Sequence, residues 1–346
     1  MGRYKFLRPI SMTASSFDRS RWQTAPRSGG VPLNSFRLAT SDVDTFMTNL
    51  RGVGWEVEYN QLSAGRFSGA LDAVSSPGVQ VMLHRHLQSF VGSGFIPRGA
   101  FAFGLMISGD GSMSINHNSV STDAVTVRYP YEAIDFKFPA SANFLTISAS
   151  ANRIDELADA VLGQRLAQIL RRGQVLASQN AAVISLARDM LEASMGLDGR
   201  MIESEHLYAD HGRFEQAMMD ALLQAIRLPD PIRGWSARQR IVRKAEDMIC
   251  SSDEPPTTVS ALCEALGVPL RTLEDAFQHC LGVPPKSYIT AMRLNRVRRL
   301  LVQPDSDTTV TGAATAFGFF HLSRFAEQYA RLFGERPSET LARARR

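Results

Sequence analysis

From about Ser35 to Ser150, apolar residues recur at every second position in short runs broken by Gly, Ser, Asn and Pro. "GWEVEYNQL", "GVQVMLH", "FAFGLMI", "AVTVRYP" and "NFLTISA" are typical. Turn signals every 8–12 residues or so predict short strands of a small antiparallel barrel or sandwich. "TSDVDTFMTNL" breaks the alternation and predicts a short helix with Ser41 as its cap. After Asn152 the period lengthens. "NRIDELADAVLGQRLAQILRR" places Ile154, Leu157, Val161, Leu162, Leu166 and Ile169 on one helical face, and helical patterning continues to Arg227. "RLPDPIRGW", with two prolines and a glycine, predicts a linker. Short helices follow, the first capped by Ser236.

Two of the later stretches repeat one another. "VSALCEALGVPLRTLEDAFQHCLGVPP" (259–285) and "VTGAATAFGFFHLSRFAEQYARLFGERP" (310–337) each contain a short apolar helix, a glycine-containing turn and a second helix. Leu273, Phe277 and Leu281 in the first copy correspond to Phe325, Tyr329 and Phe333 in the second, an i, i+4, i+8 stripe. Both copies end Gly-x-x-Pro, at Gly282/Pro285 and Gly334/Pro337. A helix, a tight turn and a second helix anchored on one stripe is the helix-turn-helix pattern, whose outer face can enter a DNA major groove. The helix predicted from Pro285 to Val302 would be about 27 Å long at about 1.5 Å per residue. With helix widths added, the two reading helices would stand about 34 Å apart, one turn of DNA. Arg293, Arg296, Arg298 and Arg299 on that helix are candidate phosphate contacts.

Charge agrees with this placement. The whole chain carries +4, with 38 Lys+Arg against 34 Asp+Glu, and the excess falls entirely after Trp235, where 16 basic residues face 12 acidic ones. That asymmetry points to a polyanionic partner for the last third. Composition, 44% apolar without a membrane-length apolar run, is that of a globular chain of two or three domains, expected in the cytoplasm. The N-terminal Ser/Arg-rich residues lack the apolar core of a signal peptide and are expected to form a disordered arm. Cys250, Cys263 and Cys280 have no metal-ligand spacing and read as reduced thiols.

The last hundred residues or so resemble the DNA-binding domain of AraC/XylS-type transcription regulators. The resemblance rests on the tandem repeat, on "RTLEDAFQHCLGVPPKSYI…RLNRVRRLL" and on "FGFFHLSRFAEQYARLFGERPSETL". The wording of the second stretch is similar to a subgroup that includes the ethanolamine-utilisation regulator. The resemblance implies base-reading positions at Arg271, Thr272, Glu274 and Asp275 in the first copy. In the second copy it implies His321, Ser323, Arg324, Glu327 and Gln328. Arg271 and Arg324 would donate to guanine and Glu274 would accept from cytosine. Asp275 and Glu327 depart from the family pattern, in which basic residues are frequent at both places. The resemblance further implies a homodimer acting near a promoter with RNA polymerase, as an activator. The first two-thirds match the family only in kind, a β-rich sensor followed by helices.

Within the β-rich region, His84 and His86 lie at i, i+2 and so share a strand face, as a metal pair would. Gly78, five residues and His-x-His resemble the opening of the cupin metal motif. The carboxylate expected next is missing, with Phe90 and Val91 in its place, and His117 lacks the matching context. No metal or cofactor is therefore expected, and a barrel lining is the alternative reading of the pair. Phe101, Phe103, Leu105 and Ile107 alternate to one face and suit either an apolar effector pocket or plain core. Neither "GSGF" nor "SGDGS" is followed by the lysine and helix of a phosphate loop, and no nucleophile grouping stands out.

The expected architecture is thus α+β and multidomain. A disordered arm (1–34) precedes a β-rich, cupin-like barrel sensor (35–151). A helical dimerisation or connector region (152–227), a linker (228–235) and a tandem helix-turn-helix domain (236–346) complete it. The expected function is sequence-specific binding of double-stranded DNA under control of an unknown small-molecule effector, with no enzymatic activity and no membrane. Effector contacts are expected from His84, His86, Phe101 and Phe103. The alternatives are a cupin-like metal enzyme with DNA-binding helices attached, an alkyl-accepting repair protein, which needs an activated cysteine, and an architectural DNA binder without a ligand.

Overall fold

The computed structural model describes residues 34–122, 124–130, 132–163, 165–166, 175–177, 181–195, 211–225, 236–251 and 258–346. The expected N-terminal arm (except its last residue) and the 228–235 linker lie outside the described residues. The chain divides into two compact units, one built around residues 19–59 and 66–233, the other around 234–346.

In the first unit the alternating segments form antiparallel strands. These are β1 (Asn34–Thr40), β2 (Glu56–Gln61), β3 (Gly69–Ser75), β4 (Val79–His86), β5 (Phe90–Phe95) and β6 (Ala100–Asp110). They continue with β7 (Met113–Ile115), β8 (Asn118–Val120), β9 (Ala124–Arg128), β10 (Ala133–Phe138), β11 (Ala140–Ser150) and β12 (Val175–Ala177). They do not close into the barrel that their spacing suggested. One sheet has the order β1-β3-β4-β11-β6-β9-β12 and the other β2-β5-β10-β7-β8, each with its own edges. Between the two sheets lies an aromatic core that includes Tyr59, Phe67, Phe90, Phe136, Phe138 and Phe144, closed at one side by helix α1 (Val43–Gly52). Asp42, not Ser41, caps α1, because its carboxylate reaches the amides of both Asp44 and Thr45.

The opposite face of the seven-stranded sheet carries Phe101, Phe103, Leu105, Val125, Val127, Leu145 and Ile147. Helices α2 (Ala151–Leu162), α3 (Ala181–Met195) and α4 (His211–Ala225) cover it through side chains such as Ile154, Val183, Ala187, Met218 and Leu222. With both faces covered, the central strands need apolar residues on both sides, which is why β6 reads as a nearly unbroken apolar run. The α2 stripe differs from expectation. The helix ends at Leu162, Gly163 turns the chain left-handed, and Val161 is left 62% exposed while Ile154 and Ala158 are buried. Ile169 lies outside the described residues. Glu215 of α4 ties the helical layer to the sheet: it accepts from the Gly78 amide at 2.7 Å and pairs with Arg153 of α2. A β-carbon at Gly78 would meet the Glu215 carboxylate at 2.5 Å, so this glycine serves helix–sheet packing rather than a metal motif.

The second unit is wholly helical among its described residues: α5 (Ala237–Ser251), α6 (Val259–Leu266), α7 (Leu270–Leu281), α8 (Pro285–Val302), α9 (Val310–Ala316), α10 (Leu322–Phe333) and α11 (Pro337–Ala344). Helix α8 is its spine. Tyr288, Ile289, Met292, Leu294, Val297 and Leu301 are buried along it. The Tyr288 hydroxyl donates to Glu246 of α5 at 3.1 Å. No described helix is long and apolar enough to cross a membrane.

Candidate nucleic-acid interface and ligand cavity

The repeated sequence gives repeated local structure. Thr258 caps α6 by accepting from the Ala261 amide at 3.1 Å, and Thr309 caps α9 by accepting from Gly312 at 3.0 Å. Helices α7 and α10 are both 12 residues long, and both end on a left-handed glycine, Gly282 at φ 67° and Gly334 at φ 68°. Leu273, Phe277 and Leu281 bury one stripe of α7, and Phe325, Tyr329 and Phe333 bury the corresponding stripe of α10. Those stripes hold each helix down and turn the remaining faces outward. Arg271, Thr272, Glu274 and Asp275 are exposed on α7, as are His321, Ser323, Arg324 and Glu327 at and along the start of α10, with Gln328 half-buried. Leu270, Phe320 and Leu322 are exposed at the same helix starts, Phe320 by 78%. The sequence reading passed over these three apolar residues; their signal is that they fall outside the i, i+4, i+8 stripe.

The basic residues of α8 sit differently from the phosphate-facing row expected of them. Arg293 is half-buried, donates to the Phe317 carbonyl at 2.7 Å and lies 4.3 Å from the centre of the Phe319 ring, so it braces the turn before α10. Arg296 donates to the carbonyls of Ile249 and Cys250, satisfying the last turn of α5. Arg298 is buried, 3.9 Å from Glu335 and over the Phe333 ring. On α7, Asp275 accepts from Arg238 of α5 at 2.6 Å, which offsets its charge on the outer face. At the far end of α10, the Tyr329 hydroxyl meets Thr340, which donates to Glu335, and Arg343 pairs with Glu335. Burial alone would raise the Glu335 carboxyl, but Arg343, Thr340 and Arg298 together hold it below the ordinary range.

In the first unit an apolar cavity of about 480 Å³ of space between atoms lies between the two sheets. His84 lines it, and His86 lies two residues along the same face, packed against Phe90 and Phe138. The two imidazoles do not converge on a metal. His84 Nε2 is 3.3 Å from the Thr146 hydroxyl, and His86 Nδ1 is 2.9 Å from the Gln88 carbonyl. Among the described residues no three His, Cys, Asp or Glu side chains gather as a metal site. Burial, with the neighbouring charge of His86, pushes His84 down to about 3, and burial pushes His86 down to about 4. Phe101 and Phe103 lie in the core between the sheet and the helices, and Phe103 also reaches the cavity wall.

Arg128, at the end of β9, was not singled out by the sequence reading. Its side chain is 1% exposed and it lines the same cavity as His84. The signal was available in "AVTVRYP": Val125 and Val127 face one way, so Thr126 and Arg128 must face the other. The Cys250 thiol is pushed up to about 11 by desolvation and by Glu246, the reverse of an activated nucleophile.

Comparison with known proteins bears on the second unit. A family described as "Helix-turn-helix domain" matches residues 262–343. The XylDLEGF operon transcriptional activator 2 of Pseudomonas putida is 33% identical over 112 residues, covering 32% of this chain and 69% of that protein. The probable thc operon regulatory protein of Rhodococcus erythropolis is 36% identical over 102 residues, 29% of this chain and 31% of that protein. A crystal structure of a probable AraC family transcriptional regulator from Rhodopseudomonas palustris CGA009 shares 38% identity. It covers 30% of this chain and 97% of that chain, with a TM-score of 0.29. For most of the curated relatives the matched stretch is about a third of their length.

Proposed function

The chain belongs to the AraC family of transcriptional regulators, and from that premise we propose that it is a sequence-specific DNA-binding regulator, not an enzyme, that responds to a small molecule. The observation that carries the proposal is the pair of matched helices, α7 and α10, each held by a buried stripe with polar side chains on its outer face. Each forms a helix-turn-helix with the helix before it. The 18-residue α8 between them is of a length to set the two a DNA turn apart, about 34 Å. Arg271 and Arg324 then donate to guanine O6 and N7, Glu274 accepts from a cytosine amino group, and Thr272, His321, Ser323, Glu327 and Gln328 complete the two contact sets. Phe320 is placed to meet thymine methyls or the sugar edge. Arg293 and Arg296 act behind this surface, holding the turn and the end of α5 in place.

Activation, with RNA polymerase as partner, is supported by the names of the Pseudomonas putida relatives. The wording "GF-x-HL-x-x-FA" supports a place near the ethanolamine-regulator subgroup. A homodimer fits the helical layer, where α2 leaves Val161 exposed. The cavity between the sheets is the effector site, and occupancy there shifts the population of DNA-engaging states.

Genome-wide occupancy in the host, compared between the parent and Arg324→Ala, tests the proposal. Discrete promoter peaks that fade in the variant are expected. Loss of one bidentate arginine contact costs about 1–3 kcal/mol, or roughly ten- to hundredfold in affinity. Diffuse occupancy that the substitution leaves unchanged would refute sequence-specific regulation.

A further inference from the structure

The guanidinium of Arg128 is the least explained group in the molecule. It is 1% exposed, and Nε, Nη1 and Nη2 all lack a hydrogen-bond partner. Its closest acidic neighbour, Glu132, approaches Nη1 only to 3.6 Å, and the other Glu132 oxygen accepts from the Tyr129 amide at 3.0 Å. A guanidinium keeps its charge at any pH a protein survives, and its five N–H donors are fixed in one plane. Burying such a group without an acceptor is costly, and buried polar groups are almost always answered. Something outside the described residues must answer this one.

The surroundings narrow what that is. The cavity wall is aromatic and aliphatic, with Phe136, Phe138 and Phe144 among its lining, and Trp55 has its indole N–H already committed to Gln80 at 3.1 Å. Gly104 forms part of the wall, where a β-carbon would meet the Phe144 ring and the Thr126 hydroxyl at 2.6 Å each. The other polar atoms are few. The Thr126 hydroxyl donates to the Gly104 carbonyl at 3.2 Å, and His84 offers an unpartnered, buried Nδ1. One cation in an apolar chamber suits one negative charge. A phosphate dianion would bring a second charge with no base or glycine-rich loop to meet it, whereas a carboxylate matches the guanidinium fork side-on. A neutral ligand would leave the fork's charge unanswered.

We propose that the cavity between the sheets binds a small apolar monocarboxylate, an aromatic or short-chain acid. Its carboxylate is held by Arg128, and its body packs against Phe136, Phe138 and Phe144. The proposal rests on the reading of this unit as an effector sensor, and names the class of effector.

The full-length protein is titrated calorimetrically with benzoate, phenylacetate and hexanoate, and with benzamide as the neutral isostere of the first. At least one acid is expected to bind, with benzamide at least tenfold weaker than benzoate if benzoate is the binder. Arg128→Met is expected to weaken that acid at least tenfold. Because the variant removes an uncompensated buried charge, its ligand-free thermal midpoint is expected to stay level or rise. The parent midpoint is expected to rise with the acid, and the variant's to be unmoved. Binding of no acid, equal binding of benzoate and benzamide, or undiminished binding by a folded Arg128→Met would each overturn the proposal. A fall in the variant's ligand-free midpoint would make Arg128 a structural residue answered by Glu132, and would overturn it too. The regulator reading is scored separately by Arg324-dependent promoter occupancy. If that persists while no acid binds, the ligand class alone falls. If an acid binds but leaves occupancy unchanged, the carboxylate site stands and effector control falls.

Discussion

Acid should loosen the β-rich unit through two histidines, His84 and His86. They are 5% and 4% exposed, and burial pushes them down to about 3 and about 4 from an ordinary value near 6.5. Both are neutral in the folded chain at pH 5, whereas in the unfolded chain both are largely protonated. The unfolded state therefore binds more protons between about pH 6.5 and pH 4, and stability must fall as pH falls through that window. At pH 5 each histidine lies 1.5 units or so below its unfolded value, which costs about 2 kcal/mol per residue and about 4 for the pair. Against a typical stability of roughly 5–15 kcal/mol that is a large fraction. Urea unfolding at pH 7 and pH 5 measures it. With Trp22 and Trp235 replaced by phenylalanine, fluorescence reports on Trp55, which is buried in the core between the sheets. The control, His84→Gln with His86→Asn, retains hydrogen-bonding capacity but does not titrate. Its pH 7 to pH 5 loss should be smaller than the parent's by about 4 kcal/mol, whatever its absolute stability. Equal losses in both proteins would refute the reasoning, because the histidines would then be charged or exposed in the fold.

Two further outcomes separate reading from packing in the second unit. Phe325→Ala removes a 1%-exposed ring in contact with Phe319 and Tyr329, so thermal or urea unfolding should show a loss of about 3–5 kcal/mol, while Arg324→Ala, one residue away and exposed, should leave stability within about 0.5 kcal/mol. Gly318→Ala places a β-carbon at φ 75° and 2.7 Å from Arg293 Nη2, which the Phe317 carbonyl and Phe319 ring hold in place; a loss of more than about 1 kcal/mol is expected in the same assay, with DNA affinity falling as the turn shifts.

The helical half was the more legible half for a physical reason. Its stabilising contacts are local, so the stripe Leu273, Phe277, Leu281 and its counterpart could be read directly from spacing, and the exposed residues followed as the remainder. Residues on the i, i+4, i+8 line were placed correctly, and those where charge could either face solvent or turn inward were not. Arg293 and Arg296 look like a basic face in sequence, yet each ends on backbone carbonyls of another segment. Alternation in the β-rich half fixes which residues share a face, but not whether a face meets the other sheet or a helical layer. Phe101 and Phe103 were correctly placed together and assigned to the wrong side, because the helices that cover them lie 50 or more residues away in sequence. The barrel expectation had the same weakness, since regular spacing predicts strands and turns but not whether the last ladder closes.

Arg128 shows how the two kinds of information combine. By sequence it is one arginine before a turn, where a charged residue is ordinary. By register it shares a face with Thr126, and by topology that face looks into the space between two sheets rather than toward solvent. Neither step alone makes it a site, since many strand ends carry arginine and many sandwiches enclose small voids. The combination does, because a charge that cannot be neutralised has been placed where water and protein acceptors are both lacking. A purely structural arginine would have been drawn onto Glu132, whose carboxylate instead turns one oxygen to the Tyr129 amide and stays beyond hydrogen-bond reach with the other. The residue that the hydrophobic pattern makes least conspicuous is thus the one through which a ligand's charge can be felt by the seven-stranded sheet.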